Sequence, residues 1–224
     1  MPTTLTFLGH SGVLIRDGDH TLCIDPFLTG NDLAVHTPDQ IDADVVAFTH
    51  AHADHFNDDG VAIAKRCDAT VVAPFELAVH CGTLGIEKAQ PINPGGAVEL
   101  PIGRLAATPA IHSSSIDGKY MGVPVGYILY VGDHVIYHLG DTALQGDFEL
   151  VRELAEPTVC LVPCGDCFTM GPRLATRAAE ILAPKIAVPI HHSTFGLLTG
   201  DPAEFTPQGV EVRHLKAGET LELG

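Results

Sequence analysis

Short apolar segments separated by turn residues dominate the first fifty positions of the chain. Leu5–Leu8, Val13–Arg16 and Thr21–Ile24 are rich in apolar and β-branched residues, and glycine and aspartate residues lie between them. Such a pattern is typical of short strands joined by turns. Val45–Thr49 is a compact apolar segment of the kind found in a strand that is buried on both faces. The N-terminal region is therefore predicted to be rich in β-structure.

Helix signals appear next and alternate with further strands. Asn57 can cap a helix that extends to about Arg66, because Asp58 and Asp59 suit the positive N-terminal end of a helix. Later helices are predicted over Phe75–Leu84, Asp147–Ala155 and Pro172–Leu182, and later strands over Thr70–Ala73, Ala97–Leu100, Arg104–Pro109, Val125–Val131, Val135–Leu139, Val159–Pro163, Ile186–Ile190, Val210–Leu215 and Thr220–Leu223.

This order of elements favours one architecture. The chain is rich in β-structure, then mixed, then rich in β-structure again with more helix, which suggests two β-sheets packed face to face with helices outside. We therefore predict an α/β fold with four layers, an αββα sandwich. A length of 224 residues is compatible with a single domain over residues 1–224 and is enough to bury a sizeable core.

The charge balance excludes several classes of protein. Twelve Lys and Arg residues face 28 Asp and Glu residues, which gives a formal net charge of −16 at pH 7. Nucleic acids and anionic membranes are both bound through cationic side chains, which are scarce here. Apolar segments such as Val123–Val131 are too short to span a bilayer, and Met1–Thr4 does not resemble a secretory leader. We therefore expect a cytoplasmic protein that binds neither nucleic acid nor membranes.

The histidine content of the chain is unusually high. The chain has 13 histidines, more than its Lys and Arg residues combined, and histidine is the commonest metal ligand. Six cysteines in a chain with no sign of export are expected to be reduced thiols. Cys160, Cys164 and Cys167 form either a metal or redox site or a set of small apolar residues that line a strand end.

The densest cluster of reactive side chains directly follows the buried strand. Thr49-His50-Ala51-His52-Ala53-Asp54-His55 places three imidazoles and one carboxylate within six residues. Loops beyond strand ends are where α/β proteins place their functional sites. A tight turn can aim His50 and His52 at one point, and it can aim Asp54 and His55 at a second point nearby. The alternative, a solvated histidine-rich turn, is disfavoured because unpaired buried imidazoles and carboxylates are costly.

This segment resembles the HxHxDH signature of the metallo-β-lactamase superfamily. The resemblance implies the αββα sandwich and two metal ions at the sheet edges, with three more ligands downstream. His112, Asp141 and His191 each follow a predicted strand and match those positions. His192 is the rival of His191, and adjacent side chains point apart, so only one of the two is expected to bind the ion.

The same resemblance implies a complete ligand set. One ion would be held by His50, His52 and His112, the other by Asp54, His55 and His191, and Asp141 with a water would bridge them. Two divalent ions lower the pKa of a shared water, so that hydroxide exists near neutral pH. Zinc is favoured, but because no cysteine belongs to the set, zinc is not strictly selected, and manganese, iron and nickel are also compatible.

Two further residues are candidates for supporting roles. His10 lies between Gly9 and Gly12, which let the backbone approach the site, and it is a candidate to contact substrate or to support a ligand; a hydrogen-bonded structural histidine is the alternative. Asp25 is a candidate to orient a ligand histidine through its ring N–H, as outer carboxylates commonly do, and a loop-capping aspartate is the alternative.

Four longer motifs narrow the resemblance. Leu8–Gly12, Asp25–Asn31, Gly140–Leu144 and Gly165–Pro172 are similar to a bacterial branch known only as metal-dependent hydrolases. That branch is related to ascorbate-6-phosphate lactonase and to N-acyl-phosphatidylethanolamine phospholipase D, and the similarity extends from about residue 5 to 195. Cys164 departs from the aliphatic residue that branch members often have there.

The resemblance implies a hydrolase acting on a small molecule. A metal-bridging hydroxide would attack an ester, a lactone or a phosphodiester, with Asp54 and Asp141 in the reacting centre, Asp54 as a candidate proton shuttle, and His10 beside them. The alternative is a metal-binding or diiron redox protein on the same scaffold. We rank it lower, because histidine occupies the expected positions and no flavin-binding domain is present in these 224 residues.

Overall fold

The computed structural model of the protein describes residues 2–224. In chain order, its strands are β1 (Thr3–Gly9), β2 (Gly12–Asp17), β3 (His20–Ile24), β4 (Val45–Ala47), β5 (Thr70–Pro74), β6 (Ala89–Ile92), β7 (Ala97–Leu100), β8 (Gly103–Pro109), β9 (Ser115–Ile116), β10 (Lys119–Tyr120), β11 (Val125–Val131), β12 (His134–His138), β13 (Val159–Pro163), β14 (Ile186–Ile190), β15 (Glu211–Val212) and β16 (Thr220–Leu223). The helices are α1 (Asp58–Arg66), α2 (Phe75–Thr83), α3 (Asp147–Ala155) and α4 (Pro172–Leu182), with short 3₁₀ turns at Pro38–Gln40 and Pro202–Glu204.

The strands form two seven-stranded sheets and one small hairpin. The first sheet has the order β16-β1-β2-β3-β4-β5-β6, and the second has the order β15-β14-β13-β12-β11-β8-β7. In the first sheet β3 to β6 run parallel, and in the second β12 to β15 run parallel. The carboxyl ends of these parallel strands open onto one edge of each sheet, which is where the segments that carry the candidate ligands begin.

Three apolar cores hold the layers together. The central core joins the inner faces of the two sheets, with Leu5 and Ile15 from one sheet and Tyr127 and Val188 from the other, all fully buried. A second core packs α1 and α2 on the first sheet. A third packs α3 and α4 on the second sheet. The predicted αββα sandwich is thereby confirmed.

Helix α1 illustrates how local chemistry sets these elements. The Asn57 side chain accepts hydrogen bonds from the backbone N–H groups of Asp59 and Gly60, so the predicted cap is confirmed. Asp59 is buried, and its carboxylate accepts hydrogen bonds from the Leu28 and Thr29 backbone at 2.8 Å. The helix therefore fixes the loop after β3, which passes beside the candidate site.

Several elements differ from the sequence-based prediction. Strand β6 was not predicted, because Gln90 and Pro91 break the apolar pattern at the sheet edge. The two-residue strands β9 and β10 are too short to show alternation. Strand β15 pairs with β14 at two positions only and is shorter than predicted. Among residues 2–224, no helix is long and apolar enough to cross a membrane.

Candidate metal centre

The predicted site residues lie in the segments that follow the strands at one side of the sandwich. The His50–His55 turn follows β4, and His112, Asp141 and His191 follow β8, β12 and β14. The turn before Asp141 needs glycine: Gly140 has φ +63°, and a Cβ there would lie 2.5 Å from the Val125 carbonyl oxygen. The fold therefore brings together segments that are far apart in the chain, such as those of His50 and His191.

Four non-glycine residues near these segments have a left-handed backbone conformation. His10, Asp25, His191 and Ser193 all have positive φ values, between 46° and 62°. Non-glycine residues seldom adopt this left-handed conformation, and it is retained where the surrounding structure requires it, commonly at functional sites. Here the His191 backbone N–H donates to the His10 carbonyl oxygen at 2.7 Å, which ties two of the strained residues together.

Three imidazoles form the first group of candidate ligands. His52 Nδ1 lies 3.1 Å from His50 Nε2 and 3.2 Å from His112 Nε2. Nitrogen ligands about 2.0–2.1 Å from a tetrahedral zinc ion are about 3.3 Å apart. The spacing of these three nitrogens therefore suits a single cation between them.

The second group combines a carboxylate with buried imidazoles. Asp54 Oδ2 lies 3.6 Å from His191 Nε2 and 3.9 Å from His55 Nε2. His10 Nε2 approaches the same oxygen to 3.0 Å, and the four ligand atoms all lie within 4.8 Å of one another. His55, His191 and His10 are buried, whereas Asp54 is partly exposed.

Asp141 lies between the two groups. Its Oδ2 atom is 2.9 Å from His191 Nε2, 3.3 Å from His55 Nε2 and 3.5 Å from His112 Nε2. His50 Nε2 is 4.0 Å away. The carboxylate is buried and is therefore shared by imidazoles of both groups, which is the position that a bridging ligand would need.

Hydrogen bonds orient two of the ligand rings. The Thr49 hydroxyl donates to Asp25 Oδ2 at 2.6 Å, so it accepts from His50 Nδ1–H at 3.0 Å. Asp25 Oδ2 also accepts from His55 Nδ1–H at 2.8 Å. Both rings then present the lone pair of Nε2 to the candidate metal positions. The geometry agrees with the orienting role anticipated for Asp25, whereas Thr49 was not anticipated.

Several buried atoms of the site lack any hydrogen-bond partner among the described residues. They are His55 Nε2, Asp141 Oδ1 and both ring nitrogens of His191. A buried polar atom without a partner is destabilising, so a cluster of four at one point indicates that another species completes it. Imidazole nitrogens and carboxylate oxygens facing one another are the donor set of a divalent cation.

The charge state of the cluster leads to the same conclusion. Burial lowers the pKa of His191, but the Asp141 and Asp54 carboxylates together outweigh burial and raise that pKa to about 9. Burial also lowers the pKa of His55, and Asp141 and Asp25 together raise it well above its usual value. The carboxylates of this cluster therefore require nearby positive charge, which is supplied either by protons on the imidazoles or by cations. The residues present fit cations, because two of the facing rings, those of His50 and His55, are already oriented by other groups.

His10 is connected to both sides of the site. Its Nδ1 lies 2.9 Å from the Thr194 hydroxyl, and its Nε2 lies 3.0 Å from Asp54 Oδ2. Burial lowers the pKa of His10 to about 4, so the ring is neutral. The hydrogen bond to Asp54 requires Nε2–H as the donor, which leaves Nδ1 to accept from the Thr194 hydroxyl. His10 thus supports the Asp54 carboxylate from outside the ligand groups.

The structure brings together every residue that the sequence put forward as a ligand. It places His191 in the cluster, whereas the ring of its rival His192 hydrogen-bonds to Ser193. Cys160 and Cys164 are buried, and burial raises the pKa of both thiols, so they pack as small protonated side chains. Sequence reasoning missed Thr194 and Ser114; the Ser114 hydroxyl accepts from the Ala51 backbone N–H at 3.2 Å.

Comparison with known proteins gives the family of this arrangement. The sequence profile of the beta-lactamase superfamily domain matches residues 4–191, which is most of the chain. This chain belongs to the metallo-β-lactamase superfamily. Its two mixed sheets with flanking helices are the architecture that the superfamily fold requires.

Relatives in the superfamily match nearly the whole chain. A protein of Thermus thermophilus named as a metal-dependent hydrolase is 45% identical, with 97% of each chain covered. A metal-dependent hydrolase of the same series from Methanopyrus kandleri is 41% identical over 97% of this chain and 99% of that protein. The solved structure of Igni18, a metallo hydrolase from the archaeon Ignicoccus hospitalis, superimposes with a TM-score of 0.91 at 33% identity and covers 100% of this chain and 99% of that one. The branch therefore includes archaeal proteins as well as the bacterial ones anticipated from the motifs. These names support metal-dependent hydrolysis as the class of activity.

Proposed function

We propose that this protein hydrolyses a carboxylic ester, a lactone or a phosphodiester of a small molecule with the help of two divalent cations. The observation that carries the proposal is the convergence of two ligand groups on either side of Asp141. Relatives named as metal-dependent hydrolases support the reaction class. The proposal treats residues 1–224 as one hydrolase domain that needs neither nucleic acid nor a membrane.

The ligand assignment follows the two groups. The first cation would be held by His50, His52 and His112, the second by Asp54, His55 and His191, and both by Asp141. Zinc suits this imidazole and carboxylate set best, and manganese, iron and nickel are compatible with it. When bound, the two cations supply an ionised water near neutral pH and a Lewis acid for the electrophilic oxygen of the substrate.

The residues of the chain contribute orientation and proton handling. Thr49 and Asp25 hold the His50 and His55 rings in the tautomers that the site needs. Asp54 is the partly exposed carboxylate of the centre, so it can take a proton from the attacking group and deliver it to the leaving group. His10 keeps that carboxylate in place through its 3.0 Å hydrogen bond.

Metal content and turnover test the proposal together. The purified full chain is depleted with a chelator, reloaded with Zn²⁺ or Mn²⁺, and assayed with a panel of 4-nitrophenyl esters, neutral lactones and bis-aryl phosphates. We expect two ions per chain and turnover that disappears on chelation and returns on reloading. His50→Ala should remove the ion of the first group and abolish turnover, whereas His134→Ala, the same change at a β12 position outside the ligand groups, should alter neither metal content nor turnover.

Two outcomes would contradict the proposal. Fewer than one ion per chain after reloading, with His50→Ala indistinguishable from the parent protein, would remove the metal centre. An iron-type absorbance band together with no turnover of any substrate in the panel would instead favour the redox alternative.

A further inference from the structure

The segments that surround the candidate metal centre contain no Lys or Arg. They are residues 9–12, 25–32, 49–58, 109–114, 139–147, 164–172 and 191–202. The same segments carry eight aspartates: Asp25, Asp32, Asp54, Asp58, Asp141, Asp147, Asp166 and Asp201. Two divalent cations would be partly neutralised by Asp54 and Asp141. A second anionic group on the substrate, away from the reacting bond, would therefore find no fixed counter-charge in these segments.

Exposed cations lie close to these segments in sequence but in other elements, and Lys119 and Arg173 are two of them. Lys119 is in the β9–β10 hairpin, and Arg173 is in the first turn of α4. Neither of them forms an ion pair among residues 2–224. The net charge of −16 adds a repulsive field for anions in solution. These two side chains are therefore the ones to vary when the preference for charge is tested.

One side of the centre is an aromatic wall. The Phe27 and Phe195 rings have centroids 5.9 Å apart, and they contact the edge of the His10 ring at 5.8 and 5.4 Å. His10 in turn lies 4.1 Å from the His191 ring. Phe195 keeps 36% of its surface exposed, and Phe27 is partly exposed. An apolar surface is thus open to a molecule bound at the metal positions.

A small cavity lies next to the His50–His55 turn. Its volume is about 300 Å³, and its lining includes Phe56, Val61 and Ile116. The charged side chains that line it are carboxylates, Asp58 and Asp117. The surroundings of the turn and of the aromatic wall therefore combine apolar surface with negative charge, which suits an apolar group and opposes an anionic one.

We infer that the candidate site takes an uncharged ester or lactone whose apolar part packs against Phe27 and Phe195. This inference rests on the proposed function for the position of the reacting bond. It selects among the proposed substrates: neutral acyl esters and lactones are favoured over phosphorylated lactones, phosphodiesters and dicarboxylic monoesters. The physical reason is that the apolar part gains from leaving water, whereas an anionic part would lose hydration without gaining a partner.

A pair of matched metal-binding ligands tests the inference without requiring turnover. Octanohydroxamate and suberate monohydroxamate have the same chain length and the same metal-binding group, but the second ends in a carboxylate. Binding to the Zn²⁺-loaded full chain is measured by calorimetry. We expect the neutral ligand to bind at least about tenfold more tightly, a difference that one or two buried methylene groups can supply. A matched turnover pair is 4-nitrophenyl butyrate and 4-nitrophenyl hemisuccinate.

Variants assign the preference to the aromatic wall. Phe195→Ser should reduce the ratio between the two hydroxamates by about threefold to tenfold, since a large apolar contact is lost. Leu154→Ala, which trims an exposed apolar side chain on α3, should leave the ratio unchanged. The full chain is used in both cases, and circular dichroism checks that each variant is folded.

The outcomes separate this inference from the proposed function. A neutral preference without hydrolysis of any ester or lactone would support the inference and contradict the proposed reaction. Hydrolysis of an ester or lactone, together with equal or tighter binding of the anionic ligand, would support the proposed reaction and contradict the inference. If Lys119→Ala or Arg173→Ala then lost the binding of the anionic ligand, that residue would be the cation that pairs with the ligand's carboxylate. Failure of both hydroxamates to bind the loaded chain would overturn the inference outright.

Discussion

The two candidate metal positions differ in burial and in how their ligands are held. In the first group, His52 and His112 are partly exposed, and His52 Nε2 has only the exposed Ser113 hydroxyl nearby at 3.3 Å. In the second group, His55 and His191 are almost fully buried, and Asp25 fixes the His55 ring. Outer partners that fix a ligand ring strengthen metal binding. We therefore expect the second position to bind its ion more tightly and the first to face the substrate.

The difference also has an electrostatic side. The first group consists of three neutral imidazoles, and burial lowers the pKa of His50, His52 and His112. The second group has the Asp54 carboxylate. Burial raises the pKa of Asp54, but the contacts with His10 and His191 lower it by more, so the pKa is below its usual value. A permanently ionised ligand favours a divalent cation over a proton. The four predictions that follow change the contrast between the positions, from the largest expected effect to the smallest.

Asp141→Asn removes the charge that both positions share. We expect the protein to lose at least one of its two ions and its turnover to fall by about a thousandfold, since metal-supplied stabilisation is worth several kcal/mol. Metal analysis and kcat/KM on the best substrate of the panel measure this. Asp147→Asn, at the first residue of α3, is the matched control and should match the parent protein. Two tightly held ions in Asp141→Asn would show that the groups do not depend on a shared carboxylate.

Single-ligand variants compare the two positions directly. His52→Ala should leave one tightly bound ion, whereas His191→Ala should leave one ion bound about tenfold or more weakly, because only the less anchored first group remains. Competition with a chromophoric chelator gives the two dissociation constants. His192→Ala is the control for His191→Ala, since it changes the neighbouring imidazole that hydrogen-bonds to Ser193. Equal affinities in the two ligand variants would contradict the ranking of the positions.

The contrast between the positions also explains which parts of the molecule were predictable. The HxHxDH turn is local in sequence, so its four side chains identify a metal site without knowledge of the fold. His112, Asp141 and His191 could be assigned because each follows an apolar strand and matches a family position. The αββα layering followed from the order of elements, since each helix buries one face against a sheet.

The residues that anchor the ligands were harder to predict. Thr49 orients the His50 ring because it lies between Asp25 and that ring. Thr194 hydrogen-bonds to His10 because the loop after β14 passes beside His10. Such contacts depend on how loops from different strands meet, which no periodicity encodes. The sequence does not predict the short strands β9 and β10 or the edge strand β6 for a similar reason. These strands are defined by their pairing partners rather than by their own residues.

Asp25→Asn should weaken the second position more than the first. An amide keeps the shape and can still accept from the Thr49 backbone N–H, but its nitrogen cannot accept from His55 Nδ1–H or from the Thr49 hydroxyl, through which Asp25 acts indirectly on the His50 ring. Loss of an outer carboxylate of this kind weakens metal binding by about 10- to 100-fold. The dissociation constant of the second ion is measured, with that of the first as an internal reference. Asp44→Asn, which changes a carboxylate that accepts from the Thr21 backbone, should change neither constant. An equal loss at both positions would show that Asp25 acts as much on the His50 ring, through Thr49, as on the His55 ring.

His10 provides the smallest and most specific change, because its only side-chain hydrogen bond to the second group is the one to Asp54. His10→Gln places an amide N–H near the position of Nε2 and can still donate to Asp54, whereas His10→Ala cannot. We expect His10→Ala to weaken the second ion by about threefold to tenfold, the range for one lost hydrogen bond of about 1 kcal/mol, and His10→Gln to restore most of that loss. The d–d absorbance of Co²⁺ bound at the second position reports the ligand geometry independently of turnover. If both variants shift that spectrum and the affinity equally, His10 acts by filling space beside Phe27 and Phe195 and not by holding the carboxylate.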